Sequence, residues 1–282
     1  MDYDFLSFDA VTDPGCQREN NEDSFAVVPE DGCFFVADGM GGGAAGELAS
    51  DFVKQAVVDA ITGTAEDSPG IRKYAVQQAI HKANQAIRNY ADAHNFRLMG
   101  STIVLFMVNP WAPDVAMVCH VGDSRLYCLH DGEFFQVTRD HTVGAEIAHS
   151  SQKAKEFRNL GDHQKSAISH MLTRGIGTSN LAAPEWDDLA LSPHDRIIIC
   201  SDGLTTMLAD KEIKKIVEAS KSVSDCAVAL KDATIAAGAK DNVTIIVIDV
   251  GEQIPAPLEH SEDDEKENDY LMKISESRID NA

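Results

Sequence analysis

The sequence is short of positive charge. Its 282 residues include 24 lysines and arginines against 46 aspartates and glutamates, a formal net charge of −22. A surplus of that sign repels phosphate backbones and anionic bilayers, which argues against nucleic acid or a membrane surface as partner. Long apolar runs are also missing: none approaches the ~18 residues of a membrane span. The opening MDYDFLSFDA has no basic stretch ahead of an apolar one, so no secretory leader is expected. Cysteine is present without a pairing pattern. Cys16, Cys33, Cys119, Cys128, Cys200 and Cys226 form no CxxC, and most lie in apolar strand-like runs. They read as reduced core residues of a cytoplasmic protein, not as zinc ligands. No internal repeat is apparent.

What is present suits a globular chain with a large core, at 44% hydrophobic and 25% charged residues. Strand-like runs occupy 24–28, 33–37, 101–108, 115–121, 125–129, 134–137, 196–200 and 243–250. Helical stripes occupy 46–61, where Leu48, Phe52, Val53, Ala56 and Val57 share a face, and 71–93, 210–220 and 223–237. Several strands are apolar throughout, as in Phe34-Phe35-Val36-Ala37, Ile197-Ile198-Ile199-Cys200 and Ile245-Ile246-Val247-Ile248. Such strands are buried on both faces. Others follow one another across turn-length gaps, and Asp131-Gly132 marks a hairpin. Both facts are met by an α+β fold, a four-layer α-β-β-α sandwich of two stacked antiparallel sheets with helices outside.

Residues 1–251 are read as one domain. Between 141 and 177 the pattern weakens, and Ser150 to Lys165, polar and lysine-rich, reads as a flap of about 150–165. From 252 to 282 the composition changes: ten acidic residues stand against three basic ones. That segment is expected to be a disordered acidic tail.

Four aspartates sit at the ends of apolar strands: Asp38 in Asp38-Gly39-Met40-Gly41-Gly42-Gly43, Asp123 in Gly122-Asp123-Ser124-Arg125, Asp202 in Asp202-Gly203-Leu204 and Asp241 in Asp241-Asn242-Val243-Thr244. One Asp-Gly is ordinary turn chemistry. Four in this placement are hard to ascribe to turns, because strand ends of stacked sheets converge. Converging carboxylates repel and raise one another's pKa unless a cation lies between them. An all-oxygen set suits hard Mg²⁺ or Mn²⁺ rather than zinc, and the glycines let a backbone carbonyl approach as a ligand. Ahead of them, Arg18-Glu19-Asn20-Asn21-Glu22-Asp23 leads into a strand. Its arginine fork can clamp a phosphate, and Glu22 and Asp23 offer further oxygens.

In this order, Arg18…Asn21-Glu22-Asp23, Asp38-Gly39-Met40-Gly41-Gly42, Gly100-Ser101-Thr102, Gly122-Asp123-Ser124-Arg125, Ser201-Asp202-Gly203-Leu204 and Asp241-Asn242-Val243-Thr244 resemble the metal-dependent protein phosphatases of the 2C type, in their bacterial branch. The resemblance runs from about Thr12 to Val250 and implies the same α-β-β-α sandwich. By that resemblance Asp38 bridges two Mn²⁺ or Mg²⁺ ions, with Glu22 and the Gly39 carbonyl on one. Asp202 and Asp241 take the other. Asp123, with Asp202, belongs to a third, weaker ion, and Arg18 holds the substrate phosphate.

The implied activity is hydrolysis of phosphoserine and phosphothreonine proteins by a water bridging the two metals. No covalent phosphoenzyme is needed. The implied setting is a cytoplasmic monomer that opposes a eukaryotic-type Ser/Thr kinase of a bacterium. Two departures concern histidine: Met40 and Gly43 stand where relatives carry a histidine, leaving none in this loop to protonate the leaving group. The others, among them His120, His141, His149, His163 and His170, read as surface or structural, and Met171 to Gly177 as a structural segment. The competing reading is a catalytically silent member that binds phosphoproteins, which would require a lost ligand.

Overall fold

The computed structural model describes residues 3–149, 168–179 and 182–258. Eleven strands are described: β1 Leu6–Asp13, β2 Asp23–Val28, β3 Cys33–Met40, β4 Gly100–Ser101, β5 Ile103–Asn109, β6 Ala112–Val121, β7 Arg125–His130, β8 Glu133–Gln136, β9 Glu185–Ala190, β10 Arg196–Cys200 and β11 Val243–Val250. The helices are α1 Ala44–Ile61, α2 Pro69–His94, α3 Val143–His149, α4 Asp202–Thr205, α5 Asp210–Ala219 and α6 Val223–Ala236. One sheet runs β1-β11-β10-β7-β8 and the other β2-β3-β5-β6-β9, with β4 paired to β3. Every pairing is antiparallel.

Three apolar layers separate the four layers of secondary structure, and the doubly apolar strands explain them. Along β3, Phe34 and Val36 point between the sheets, while Cys33, Phe35 and Ala37 point at α1 and α2. Along β11, Ile246 and Ile248 join the inter-sheet layer, while Ile245 and Val247 meet α5 and α6 beside Ile213, Val217 and Leu230. Side chains alternate across a strand, so a strand covered on both faces must be apolar at every position. The expected sandwich is the fold observed.

Helix α2 shows how local signals set an element. Ser68 caps it, its hydroxyl accepting from Ile71 N at 3.3 Å, and Pro69 follows at the first helical position. Asn95 ends it in the left-handed conformation at φ 59°.

Two strands were not expected from the sequence. β1 and β9 are edge strands of their sheets, and their polar sequences, LSFDAVTD and EWDDLA, reflect partly exposed faces. Search by apolar runs passes over such strands. The stretch after His141 also holds more than a flap, since α3 occupies Val143–His149. The flap at 150–165 lies outside the described residues. Of the acidic segment from 252, residues 252–258 are described and lie along the domain. Ile254 packs on the inter-sheet layer, and Leu258 N donates to Pro110 O at 2.9 Å. The remainder is outside the described residues.

Candidate active site

At one end of the sandwich a cleft of about 340 Å³ is lined by Arg18, Glu22, Asp38, Gly39, Asp123, Asp202 and Asp241, together with Met40, Gly41, Gly42, Leu98, Thr102, His170 and Leu172. All seven residues singled out in the sequence therefore meet at one place. Asp38 comes from the last turn of β3, Asp123 from the tight connection of β6 to β7, Asp202 from the first turn of α4 after β10, and Asp241 from the approach to β11. These strands are central in their sheets, so their ends are fixed by ladders on both sides.

The local bonds that hold each group are short-range and polar. Asp38 N donates to Thr102 Oγ1 at 3.0 Å, and Thr102 N returns a bond to Asp38 O at 2.8 Å. Glu22 is buried, and its Oε1 accepts from Gly43 N at 2.5 Å, which ties it to the glycine loop ahead of α1. Asn242 anchors the incoming chain: its Oδ1 accepts from Glu22 N at 2.8 Å and its Nδ2 donates to Asn20 O at 2.8 Å. Arg18 stands at the rim, partly exposed, with Nη2 donating to Asp241 Oδ2 at 2.7 Å and Nη1 3.9 Å from Glu22 Oε1. Gly39 has no room for a side chain, since a Cβ there would lie 2.1 Å from Gly46 O and 2.5 Å from Glu22 O. The backbone at this point is pressed against the site, as a carbonyl ligand requires.

One acidic residue was undervalued by the sequence reading. Asp23 pairs with Asp38 across β2 and β3, and Ser201 Oγ donates to its Oδ2 at 2.7 Å. Burial, then the charges of Asp202 and Asp241, push its carboxyl up to about 7 against hydrogen bonds from Thr244 and Ser201. Burial and the charges of Asp23, Asp202, Asp123 and Asp241 hold Asp38 well above the usual carboxylate range. Burial, with Asp202 and Asp140, raises Asp123 to about 7. Asp202 is raised by burial and by Asp241, although it shares a hydrogen bond with Asp38 and faces Arg18 and His170.

Carboxylates raised by one another in this way favour either bound protons or a bound cation. The donor set is oxygen only, and one arginine at the rim does not balance it. These residues fit hard divalent cations.

Histidine enters the cleft after all, though not from the glycine loop. His170, exposed and just ahead of the segment read as structural, lines it. No nearby motif marked it, because its neighbours in the cleft, Asp123 and Asp202, lie far along the chain. A second polar group, His120, His141 and Glu185, brings one ligand atom from each within 4.8 Å. Both of these histidines are buried, as a structural role predicts. His149 and His163 have no described side chains.

Known proteins resemble the chain in both sequence and fold. The family model for protein phosphatase 2C matches residues 17–237. The serine/threonine phosphatase stp of Listeria innocua is 28% identical, over 84% of this chain and 93% of its own. The serine/threonine protein phosphatase PstP of Mycobacterium tuberculosis is 32% identical over 87% of this chain, which spans 45% of PstP's length. Among solved structures, the S. agalactiae serine/threonine phosphatase superposes with a TM-score of 0.76 at 25% identity, covering 86% of this chain and 98% of that one. The catalytic domain of PstP in complex with two manganese ions gives 0.72 at 28% identity, covering 87% and 98%.

Proposed function

The chain belongs to the protein phosphatase 2C family, and from that premise we propose that it is an enzyme that hydrolyses phosphoserine and phosphothreonine in other proteins. The observation that carries the reading is the meeting of Asp38, Asp123, Asp202 and Asp241 with Arg18 in one cleft, from motifs spread over most of the chain. The residues that would hold the metal are Asp38, Glu22, the Gly39 carbonyl, Asp202 and Asp241, and Asp123 with Asp202 would hold a further, weaker ion. Mn²⁺ or Mg²⁺ bound there would supply positive charge to activate a water and to neutralise the phosphoryl oxygens.

The chain's own groups do the rest. Arg18 binds and orients the phosphate through charge-assisted bonds. It is tied to Asp241 by one nitrogen, which leaves its other donors for an anion. Thr102 and Asn242 fix the backbone on which Asp38 and Glu22 stand. Asp23, opposite Asp38 on the neighbouring strand, is held by Ser201 and sets the charge around Asp38. A silent, merely binding family member would lack one of these ligands, and all are present.

The wider reading is a monomeric, cytoplasmic signalling enzyme that reverses a eukaryotic-type Ser/Thr kinase. All six cysteines are free thiols, five of them buried, which supports a reducing compartment. Among the described residues no helix is long and apolar enough to cross a membrane. The test is hydrolysis of an aryl phosphate and of a phosphothreonine peptide with and without Mn²⁺. Activity is expected only with the ion, and activity that survives exhaustive chelation would sink the proposal.

A further inference from the structure

The connection from β6 to β7 carries Asp123, and it is gripped from both sides. On one side Ser124 Oγ bonds Thr102 Oγ1 at 2.7 Å. Gly122, at φ +110°, is pressed so close to Thr102 that a Cβ would lie 2.5 Å from its Cγ2. On the other side stands His141. Its backbone N donates to Gly122 O at 2.9 Å, and Gly122 N donates to its Nδ1 at 3.1 Å. Glu185 Oε2 lies 3.0 Å from His141 Nε2.

These contacts determine where the proton sits. A neutral imidazole has one N–H and one bare nitrogen. Nδ1 accepts from Gly122, so the proton is on Nε2, where Glu185 accepts it. Turning the ring over would put carbon at both positions and lose both bonds. Glu185 is fixed in turn by Arg174 at 3.2 Å and Arg139 at 3.5 Å. His120 stacks on the ring, centroids 4.5 Å apart, and is itself anchored through Nε2 to Arg139 O at 2.8 Å.

His120, His141 and Glu185 also have the composition of a zinc site, and the same contacts argue against it. A metal on His141 Nε2 would need a lone pair there while Nδ1 already accepts a proton, which only an imidazolate offers. Arg174 Nη1 also stands 3.2 Å from that nitrogen. The contacts of His141 therefore suit a proton on Nε2 rather than an ion.

We infer that His141, locked in one tautomer by Glu185, is a positioning residue for Asp123 and sets the affinity of the weaker cation site. The inference rests on the reading of Asp123 as a ligand of that site. Groups behind a metal ligand commonly carry about 10–100-fold in metal affinity. His141 acts through the backbone of Gly122, one residue from the ligand, which places it at the lower end.

Calorimetric titration of the metal-stripped full chain with Mn²⁺ tests this. The wild type should take up tight ions and then a weaker one. His141→Ala should weaken the last step about tenfold and leave the tight steps alone. His141→Asn, whose Oδ1 can accept from Gly122 where Nδ1 did, should restore it. An unchanged last step in His141→Ala, equal losses in Ala and Asn, or equal weakening of tight and weak steps would overturn the proposal. Should His141→Ala fail to fold, Glu185→Ala carries the test, with about threefold weakening expected and Glu185→Gln unaffected. No change in Glu185→Ala would then be fatal. A wild type with tight uptake and no weaker step overturns this inference alone, whereas one that binds no Mn²⁺ tightly overturns the metal-dependent reading itself.

Discussion

Two buried polar clusters meet at Gly122 and Asp123, and they deal with charge in opposite ways. In and beside the cleft, Asp23, Asp38, Asp123, Asp202 and Asp241 crowd together, and burial with mutual repulsion raises the first four. Behind Gly122, burial and neighbouring charges lower His141 to about 4, so its ring is neutral, and Glu185 is kept ionised by His141 and Arg139 despite some burial. The charges of the second cluster are balanced by its own arginines, although His120 Nδ1 is buried there without a hydrogen-bond partner. The first has only Arg18, at its rim, against several carboxylates, and a site that binds cations must keep such an excess of negative charge. A cluster already neutralised by its own arginines would have no reason to take up an ion.

The comparison breaks most directly at the cleft. Asp38→Ala or Asp202→Ala should reduce turnover to that of chelator-treated wild type, measured on an aryl phosphate. If Asp202→Ala keeps near-normal activity, the assignment of the cleft is wrong. Arg18→Ala comes next, expected to lower kcat/KM about 10–100-fold through loss of charge-assisted bonds to phosphate, with measurable turnover left.

Opposite charge handling also gives opposite pH slopes of stability. A group raised in the fold, such as Asp23 or Asp123 at about 7, stabilises the folded chain fully below the unfolded value near 3.8, and that stability is lost as pH rises through 7. A group lowered in the fold, such as His141, does the reverse: the unfolded chain takes up its proton first, so stability is lost as pH falls from about 6.5 towards 4. The metal-stripped protein should therefore melt lower at pH 8 than at pH 5. With Mn²⁺ present the aspartates are held ionised, and the Tm should instead rise between pH 5 and 7. A Tm profile that Mn²⁺ does not alter would remove the contrast.

The smallest effect sharpens it further. Asp23→Asn keeps an acceptor for Ser201 and removes one of the crowded charges. The metal-stripped Tm at pH 8 should rise by a few degrees, the scale of about 1 kcal/mol in a chain of this size. Glu185→Gln should lower it, because that change leaves Arg139 and Arg174 without their carboxylate. Thermal melts of both variants without metal decide this, and changes of the same sign in both would mean that the two clusters are not electrostatically different.

By itself the sequence determined the layers and most of the cleft. Phe34 to Ala37 or Ile245 to Ile248 can be buried only by cover on both faces, and that constraint is written in consecutive residues. Likewise Asp38, Asp123, Asp202 and Asp241 announce themselves because each stands where an apolar run stops, a local fact. Edge strands such as β9 escaped notice because one exposed face dilutes the apolar signal.

What only the tertiary structure decided are the roles set by partners far along the chain. Asp23 joined the carboxylates around the cleft through its register opposite Asp38 and the hydroxyl of Ser201. His170 lines the cleft beside Asp202, a neighbour far along the chain that its own residue type does not announce. The tautomer of His141 was settled by Glu185, 44 residues away, and by Gly122 on the other side. A carboxylate at the end of a strand carries its chemistry in its own residue type. An imidazole does not: which nitrogen bears the proton depends on what stands opposite each, and folding alone brings those groups together.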